Sequence, residues 1–318
     1  MSTYNILILG ASYGSLLASK ILLGAHSVKL VCLPTEADLI NSEGFRVRIP
    51  IRGRSEPIEL DSRKLPGRVS AARATDVDPR EYDLIGLAMQ EPQYGSPGVR
   101  ELMNAVATSR VPCMSIMNMP PFAYMRRVPG IDSELLKPAY TAPEVWEEFE
   151  KGNEIVRRLE KEIDAARFDA PEGRIQLPVK LRFYDSIFVP LAKWAMLMAG
   201  NYRCITEDGM RTAREAVHSD LEASRSIYDF VLDVCVKIGA SRDELVPFER
   251  YAAAAESLSR PASAARALNN GASNIERADK LVQLAAKQKG MRHPALDAIV
   301  ALVDRRLEAN RKMRPAAA

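Results

Sequence analysis

A single lysine lies inside an almost continuous apolar run, LAKWAMLMAGN, at residues 191–201. Lysine is seldom fully buried without a partner, so Lys193 calls for an explanation. Helical spacing places Lys193, Leu197 and Asn201 along one face, at i, i+4 and i+8. An ammonium group held there, away from bulk water, can stabilise charge developing on a carbonyl oxygen and then donate a proton to it. The spacing therefore predicts Lys193 as a general acid, with Asn201 orienting the substrate.

Two simpler interpretations compete with this prediction. The stem of Lys193 could pack against apolar neighbours while its head group reaches water. Asn201 could simply end the helix after Gly200. Both interpretations would leave the segment without chemistry.

A glycine-containing turn follows the first apolar run of the chain, NILIL. A helical pattern, LLASKILLGA, comes next and leads into a second β-rich run, VKLVCL. This order resembles the βαβ unit in which a pyrophosphate sits at a helix N-terminus, although Ser12 stands at the second glycine position of G-x-G-x-x-G and the loop is one residue short. The alternative is a tight turn without a ligand. The residues predicted to bind a dinucleotide are Gly10, Ala11, Ser12, Tyr13, Gly14 and Ser15.

The residues after the second β-rich run bear on the choice of dinucleotide. An acidic residue there reads a ribose hydroxyl, and an arginine reads a 2′-phosphate. Glu36 lies slightly late for the first role, and the nearest arginines are Arg46 and Arg48. These residues leave the choice between NAD and NADP open.

The remaining pattern predicts an α/β fold, with an N-terminal Rossmann-type parallel-sheet domain followed by an all-helical C-terminal domain. The expected boundary lies between about residues 170 and 186, giving domains 1–180 and 181–318. Strands are predicted at 5–9, 28–33, 43–49, 82–89, 111–117 and 174–181, with residues 50–80 irregular or hairpin-like. Helices are predicted at 99–108, within 144–167, and near 187–204, 208–238, 242–257, 260–289 and 294–311.

Composition narrows the classes of function. The chain has 318 residues, 47% hydrophobic and 27% charged, and its net charge of +3 is too small to indicate a nucleic-acid partner. No apolar stretch reaches the roughly 20 residues of a transmembrane helix, and the N-terminus lacks a signal-peptide pattern. The four cysteines and three histidines have no metal-ligand spacing. We therefore expect a cytoplasmic protein with no bound metal and no membrane or nucleic-acid partner.

The order of these segments resembles the ketopantoate reductase family, in which a Rossmann domain precedes a helical domain and the active site lies in the cleft between them. ILILGASYGSLLA resembles the family's opening turn and helix, and SEGFRVR its hairpin entry. DLIGLAMQEPQY resembles a strand that usually ends in V-K-x-x-Q, so Gln90 replaces a cofactor-binding lysine and Gln93 matches the glutamine. SIMNMPP resembles a strand ending in Q-N-G, so Asn118 matches the asparagine near nicotinamide and substrate.

The resemblance also covers the second domain. The family has a lysine followed by asparagines four and eight residues later; Lys193 and Asn201 match, whereas Leu197 replaces the first asparagine. A family serine and glutamate correspond to Ser263 and Glu276 if one residue is inserted. Without the insertion, Asn274 would take the glutamate position. The resemblance implies that the serine binds a substrate carboxylate and that the glutamate accepts a hydrogen bond from a substrate hydroxyl or amine.

Together these features predict NAD(P)H-dependent reduction of a small 2-oxo acid, 2-dehydropantoate-like, to a 2-hydroxy acid. NADP is the expected cofactor, with NAD as the alternative, and a homodimer is the expected assembly. An opine-type imine reductase would use the same two-domain plan. A nucleotide-binding sensor without catalysis is a further alternative, favoured by the altered turn and by Leu197.

Overall fold

The computed structural model describes residues 3–51, 53–139, 142–171 and 173–313. The strands are β1 (Asn5–Leu9), β2 (Ser27–Val31), β3 (Arg46–Ile49), β4 (Ile58–Asp61), β5 (Arg68–Ala72), β6 (Leu84–Leu87), β7 (Cys113–Ser115), β8 (Phe168–Ala170) and β9 (Gly173–Ile175). The α-helices are α1 (Ala11–Leu23), α2 (Pro34–Glu43), α3 (Val99–Ser109), α4 (Phe122–Arg127), α5 (Glu150–Ala165), α6 (Ala192–Met196), α7 (Ala213–His218), α8 (Leu221–Lys237), α9 (Phe248–Ala255), α10 (Ser263–Asn269), α11 (Ala278–Gln288) and α12 (Pro294–Met313).

The chain divides into two units. The first unit comprises residues 1–123 and 143–183, and the second comprises residues 124–142 and 184–318. Residues 124–142 thus belong to the second unit, whereas the sequence pattern placed them in the first domain. We call residues 124–142 the excursion. The residues that flank it are joined by a hydrogen bond, because the main-chain N–H of Phe122 donates to the carbonyl oxygen of Pro143, 3.4 Å away.

A five-stranded parallel sheet, in the order β5-β2-β1-β6-β7, forms the centre of the first unit. The apolar run of β1 is buried on both faces, because Ile6 and Ile8 join a core with α1 and α5 while Leu7 and Leu9 join a second core with α3. A central parallel strand covered by helices on both faces is apolar throughout. The predicted Rossmann-type sheet followed by helices is confirmed.

The edge of this sheet differs from the sequence prediction. Strands β3 and β4 pair as a hairpin, with β4 in the region 50–80 that was predicted to be irregular or hairpin-like, but that region also contains β5, which pairs in parallel with β2. Only Ala71 in β5 is buried, so the strand has little apolar signal. Helix α2, which the pattern did not reveal, begins with Pro34 in its first turn, where proline is well tolerated.

The middle of the chain completes the first unit. Helix α5 presents Ile155, Leu159 and Ile163 to the core that contains α1, so it is a covering helix with a charged outer face. The strand predicted at residues 174–181 is shorter: β9 pairs only with β8, in a separate antiparallel hairpin.

The second unit is helical between the predicted bounds, but its helices before α12 are shorter than predicted. The segment 208–238 is interrupted at Asp220, whose carboxylate caps α8 by accepting from the N–H of Ala223 at 2.9 Å. The segment 260–289 is interrupted between α10 and α11. Helix α12 begins at Pro294, as predicted. Within the described ranges, no helix combines the length and apolar content that crossing a membrane requires.

Candidate functional site

Gly10 is the single residue that forms the turn between β1 and α1. Its φ of +105° lies in a region that residues with a Cβ rarely adopt, and an added Cβ would lie 3.0 Å from the carbonyl carbon of Ala88. Its N–H donates to the carbonyl oxygen of Val31 at 2.9 Å. Only glycine fits here, where β1, β2 and β6 meet.

Gly14 has a packing role one turn into α1. A Cβ at this position would lie 2.5 Å from Cγ2 of Ile8 on β1. The close approach of helix to strand matches the purpose of the last glycine in a dinucleotide fingerprint. The prediction that residues 11–15 form a loop is wrong, because the helix begins at Ala11 and Gly10 completes the turn by itself.

The first turn of α1 presents unused donors. Gly10 caps the helix without a side chain, no acidic residue lies in the first turn, and Ser12 and Tyr13 are exposed. The hydroxyl of Ser15 donates back to the carbonyl oxygen of Ser12 at 3.2 Å. The first N–H groups of a helix have no partner within the helix, so this terminus can bind an anionic group.

Gln90 and Asn118 follow the carboxyl ends of β6 and β7. The N–H of Gln90 donates to Oε1 of Gln93 at 2.8 Å, which closes a short turn after β6. The side chains of Gln90 and Asn118 are both half-buried. Parallel strands end at the same edge of a sheet, so both residues lie at the edge that carries Gly10. The sheet order reverses between β1 and β6, and open α/β sheets bind ligands at such a switch point.

An open crevice of about 350 Å³ borders the glycine turn. Ala11, Glu36 and Arg46 are among its lining residues, so two of the three side chains considered for cofactor selection line the same crevice. Oε2 of Glu36 accepts from the N–H of Leu33 at 3.1 Å and thereby caps α2. Arg48, by contrast, pairs with Glu59 at 2.9 Å on the β3–β4 hairpin.

In the second unit, Lys193 is exposed, and the expectation that this lysine is held away from water is wrong. Its neighbours Ala192, Trp194 and Ala195 are buried, so the apolar run packs on its other sides. Because Lys193 is exposed, its ammonium group needs no buried partner. The proposed role as a proton donor remains a prediction.

Among the residues that the structure describes, the buried lysine is Lys20 on α1. Its Nζ donates to the carbonyl oxygen of Ile163 at 2.7 Å, at the C-terminal end of α5. Burial lowers the pKa of Lys20, and the nearby carboxylate of Asp164 opposes that shift. The amine satisfies helix-end carbonyls and has a structural role.

A π-helical turn, Leu197–Asn201, follows α6. Leu197 is 2% exposed, whereas Asn201 is half-buried and Lys193 is exposed, so the three residues of the predicted stripe differ in burial, and their shared face stays a prediction. The prediction assumed α-helical spacing, and a π turn changes the angle per residue. Such turns occur frequently at functional sites.

The segment after the π turn contacts the main chain of Glu276, another candidate substrate residue. The hydroxyl of Tyr202 donates to the carbonyl oxygen of Glu276 and accepts from the N–H of Ala278 at 3.0 Å. Burial raises the pKa of Cys204, and the main-chain N–H of Ala262, which precedes Ser263, opposes that shift. Tyr202 therefore connects the main-chain segments that carry Asn201 and Glu276.

Asn274, the alternative to Glu276, has a different hydrogen-bond partner. It is exposed, and its Oδ1 accepts from Nη2 of Arg311 at 3.1 Å. Both Glu276 and Asn274 stay predictions for the residue that aligns with the family glutamate. Sequence reasoning did not identify Tyr202, because its contact is 74 residues away along the chain.

Fold and glycine turn together define a Rossmann-type unit joined to a helical unit. No protein-family model matches the chain, and no curated protein matches its sequence. Its fold is similar to 2-dehydropantoate 2-reductase from Methylococcus capsulatus, at 17% identity, TM-score 0.64 and 98% coverage of each chain. It is also similar to a PanE/ApbA family ketopantoate reductase from Ralstonia eutropha, at 17% identity and TM-score 0.58, covering 96% of this chain and 99% of that one.

D-mandelate dehydrogenase, in a ternary structure with NADH and anilino(oxo)acetate, has the same fold. Its identity is 13% and its TM-score 0.62, with 96% of this chain and 99% of that chain covered. The predicted resemblance to the ketopantoate reductase fold is confirmed, and it extends through residues 120–180, where the sequence motifs were weak.

Proposed function

We propose that this protein is an NAD(P)H-dependent reductase that converts a small 2-oxo acid into a 2-hydroxy acid. The first unit binds the dinucleotide and contributes Asn118, and the second unit supplies the proton and the other substrate-binding groups. The observation that carries the proposal is the turn at Gly10, where the uncapped start of α1 meets the switch point of a parallel sheet.

The residues of this turn fit a dinucleotide. Gly10 and Gly14 meet the two close approaches that such a turn requires, and Ser12 has an exposed side chain and a main-chain N–H in the first helical turn. A pyrophosphate binds through N–H groups of this kind. In this proposal, Gln90 and Asn118, at the ends of the next two strands, contact the nicotinamide end.

NADPH is the proposed reductant, with NADH as the alternative. Glu36, which could bind a ribose hydroxyl, already accepts a main-chain hydrogen bond. Arg46 lines the same crevice, is exposed, and has no carboxylate partner among the described residues. A guanidinium group suits a 2′-phosphate.

Lys193 is the proposed proton donor. When bound, reduced nicotinamide supplies a hydride to the carbonyl carbon of the substrate. The Lys193 ammonium stabilises the negative charge that grows on the carbonyl oxygen and donates one proton to it, so the product is an alcohol. Its exposed position leaves the ammonium group accessible to a ligand.

The other polar residues would hold the substrate. Asn201 and Asn118 donate amide hydrogen bonds, Ser263 binds the carboxylate, and Glu276 accepts a hydrogen bond from a substrate hydroxyl. Two of the structurally similar proteins are named for reactions of 2-oxo or 2-hydroxy acids, which supports this substrate class. A homodimer and a cytoplasmic location remain expectations.

Binding and turnover test the proposal separately. Thermal unfolding with NADPH or NADH measures binding, and absorbance of reduced nicotinamide measures turnover of 2-dehydropantoate, trimethylpyruvate and phenylglyoxylate, each with and without ammonia. We expect stabilisation by NADPH and oxidation of cofactor without added ammonia. Activity that requires ammonia would indicate an imine reductase, and binding without turnover would indicate a sensor.

Arg46→Gln tests the choice of cofactor. We expect it to weaken NADPH binding and leave NADH binding unchanged, because only NADPH has the 2′-phosphate. Arg48→Gln is the matched control, since Arg48 pairs with Glu59 on the same hairpin. Equal weakening of both cofactors by Arg46→Gln would contradict the assignment.

A further inference from the structure

The hydroxyl of Tyr202 joins two segments that are distant in the sequence. Tyr202 is 3% exposed, and its hydroxyl is both donor and acceptor, to the carbonyl oxygen of Glu276 and from the N–H of Ala278. A single side-chain atom therefore fixes the main chain on both sides of Arg277. These two hydrogen bonds satisfy the buried hydroxyl group.

The residue after Glu276 is anchored as well. Arg277 forms two parallel hydrogen bonds with the fully buried carboxylate of Asp279, at 2.9 and 2.7 Å. Bidentate pairs of this kind fix orientation as well as distance. The main chain at Glu276 is thus fixed by Tyr202 and by the start of α11, while its side chain stays half-buried.

Tyr202 is adjacent in sequence to Asn201. The π turn that carries Asn201 ends where the short helix Tyr202–Cys204 begins, so the tyrosine ring and the asparagine amide extend from consecutive residues. Any displacement of Tyr202 relative to the segment at residues 276–278 changes the spacing between Asn201 and Glu276.

We propose that Tyr202 is a positioning residue that sets Glu276 at a fixed distance from Asn201, and so selects 2-oxo acids that carry a hydroxyl group. This inference rests on the proposed function. Glu276 accepts the substrate hydroxyl, Asn201 holds the carbonyl end, and Tyr202 determines the spacing between the two without touching the substrate.

Tyr202→Phe tests the inference, and Tyr228→Phe is its matched control. Tyr228 is also buried in the second unit, and its hydroxyl donates to the carbonyl oxygen of Val246 at 2.8 Å. Tyr202→Phe loses two buried hydrogen bonds, and Tyr228→Phe loses one. Two substrates that differ by one hydroxyl, 2-dehydropantoate and trimethylpyruvate, report on Glu276, and amide hydrogen exchange of residues 273–278 reports on the main chain.

We expect Tyr202→Phe to lower kcat/KM for 2-dehydropantoate by roughly 10- to 100-fold, as a displacement of about 1 Å can. Trimethylpyruvate turnover and cofactor binding should change little, and exchange at residues 273–278 should accelerate. Tyr228→Phe should leave both substrates and that segment unchanged.

Equal losses for the two substrates, or equal effects of the two variants, would overturn the positioning role. Unchanged exchange at residues 273–278 in Tyr202→Phe would overturn it even if the wild-type protein reduced no 2-oxo acid. Wild-type inactivity toward every substrate, by contrast, would contradict the proposed function itself. The two failures are therefore distinguishable.

Discussion

The hydroxyl of Tyr251 occupies the space that a side chain at Gly200 would require. A Cβ at Gly200 would overlap this oxygen and lie 3.2 Å from Cζ of the same ring. The hydroxyl donates to the carbonyl oxygen of Met196, 3.2 Å away, just before the π turn. Tyr251 thus supports the turn that leads to Asn201, and glycine at position 200 makes room for it.

Gly200→Ala should lower the free energy of unfolding by about 1–3 kcal/mol, the usual cost of overpacking. Tyr251→Phe should cost about 1–3 kcal/mol, because it leaves the carbonyl oxygen of Met196 without this donor. The double variant should lose less than the sum, since removing the hydroxyl also removes the overlap. Urea unfolding of the three variants measures this coupling, and strict additivity would show that the two residues act independently.

Gly14→Ala should destabilise the protein although alanine favours helices. The added methyl group would lie 2.5 Å from Cγ2 of Ile8, so α1 must move away from β1, at a cost of about 1–3 kcal/mol. Gly95→Ala is the control, because an added Cβ there meets nothing within 4 Å. Thermal unfolding should separate the two variants, and loss of NADPH binding by Gly14→Ala alone would further support the role of the turn.

Lys193→Ala should abolish turnover and leave folding stability and cofactor affinity almost unchanged. The side chain is exposed, so its removal creates no cavity, whereas the loss of a general acid costs about 10²–10⁴-fold in rate. Lys237→Ala removes another exposed lysine of the second unit as a control. Steady-state kinetics with cofactor titration measures both effects, and retained turnover would exclude Lys193 as the proton donor.

Acidification should destabilise the first unit through His26. Burial lowers the pKa of His26 from 6.5, against the opposing effect of Glu162. Nδ1 of His26 accepts from the N–H of Tyr4 at 3.1 Å, and Nε2 lies 2.9 Å from Oε2 of Glu162. A lowered pKa means that the unfolded chain binds the proton first, so stability present above pH 6.5 is lost as the pH falls through the folded-state pKa.

Urea unfolding from pH 8 to about pH 5 measures this loss. His26→Gln keeps an acceptor for Tyr4 and a donor for Glu162 but does not titrate, so most of the pH dependence in this range should disappear. His293, whose pKa is also lowered by burial, accounts for a remainder in the second unit. An unchanged pH profile in His26→Gln would assign the effect to other groups.

The parallel sheet was predictable because its central strands carry their own signal. NILIL is apolar on both faces, and the glycine at position 10 marks where it must turn. Strand β5 was missed because only Ala71 is buried, and β5 forms through its pairing with β2. Local apolar content reveals central strands but not an edge strand held by its neighbour.

The candidate site was less predictable, because its geometry depends on distant contacts. Lys193 and Lys20 both lie in apolar helical runs, yet only Lys20 is buried, since the carbonyl oxygen of Ile163 lies within reach. The π turn before Asn201 depends on Tyr251, which is 55 residues from Met196. Neither partner can be inferred from the spacing of residues around the lysine.

The excursion at residues 124–142 affects the order in which the protein can be completed during synthesis. Its partners come later: Tyr124 donates to the carbonyl oxygen of Ile187 at 2.7 Å, Gly130 packs against Ile238, and Asp132 exchanges hydrogen bonds with Gln288. This stretch leaves the ribosome long before those residues, so it must wait unpaired while α5 folds back onto the sheet. A truncated gene product starting at residue 184 would lack that stretch and expose the surfaces it covers.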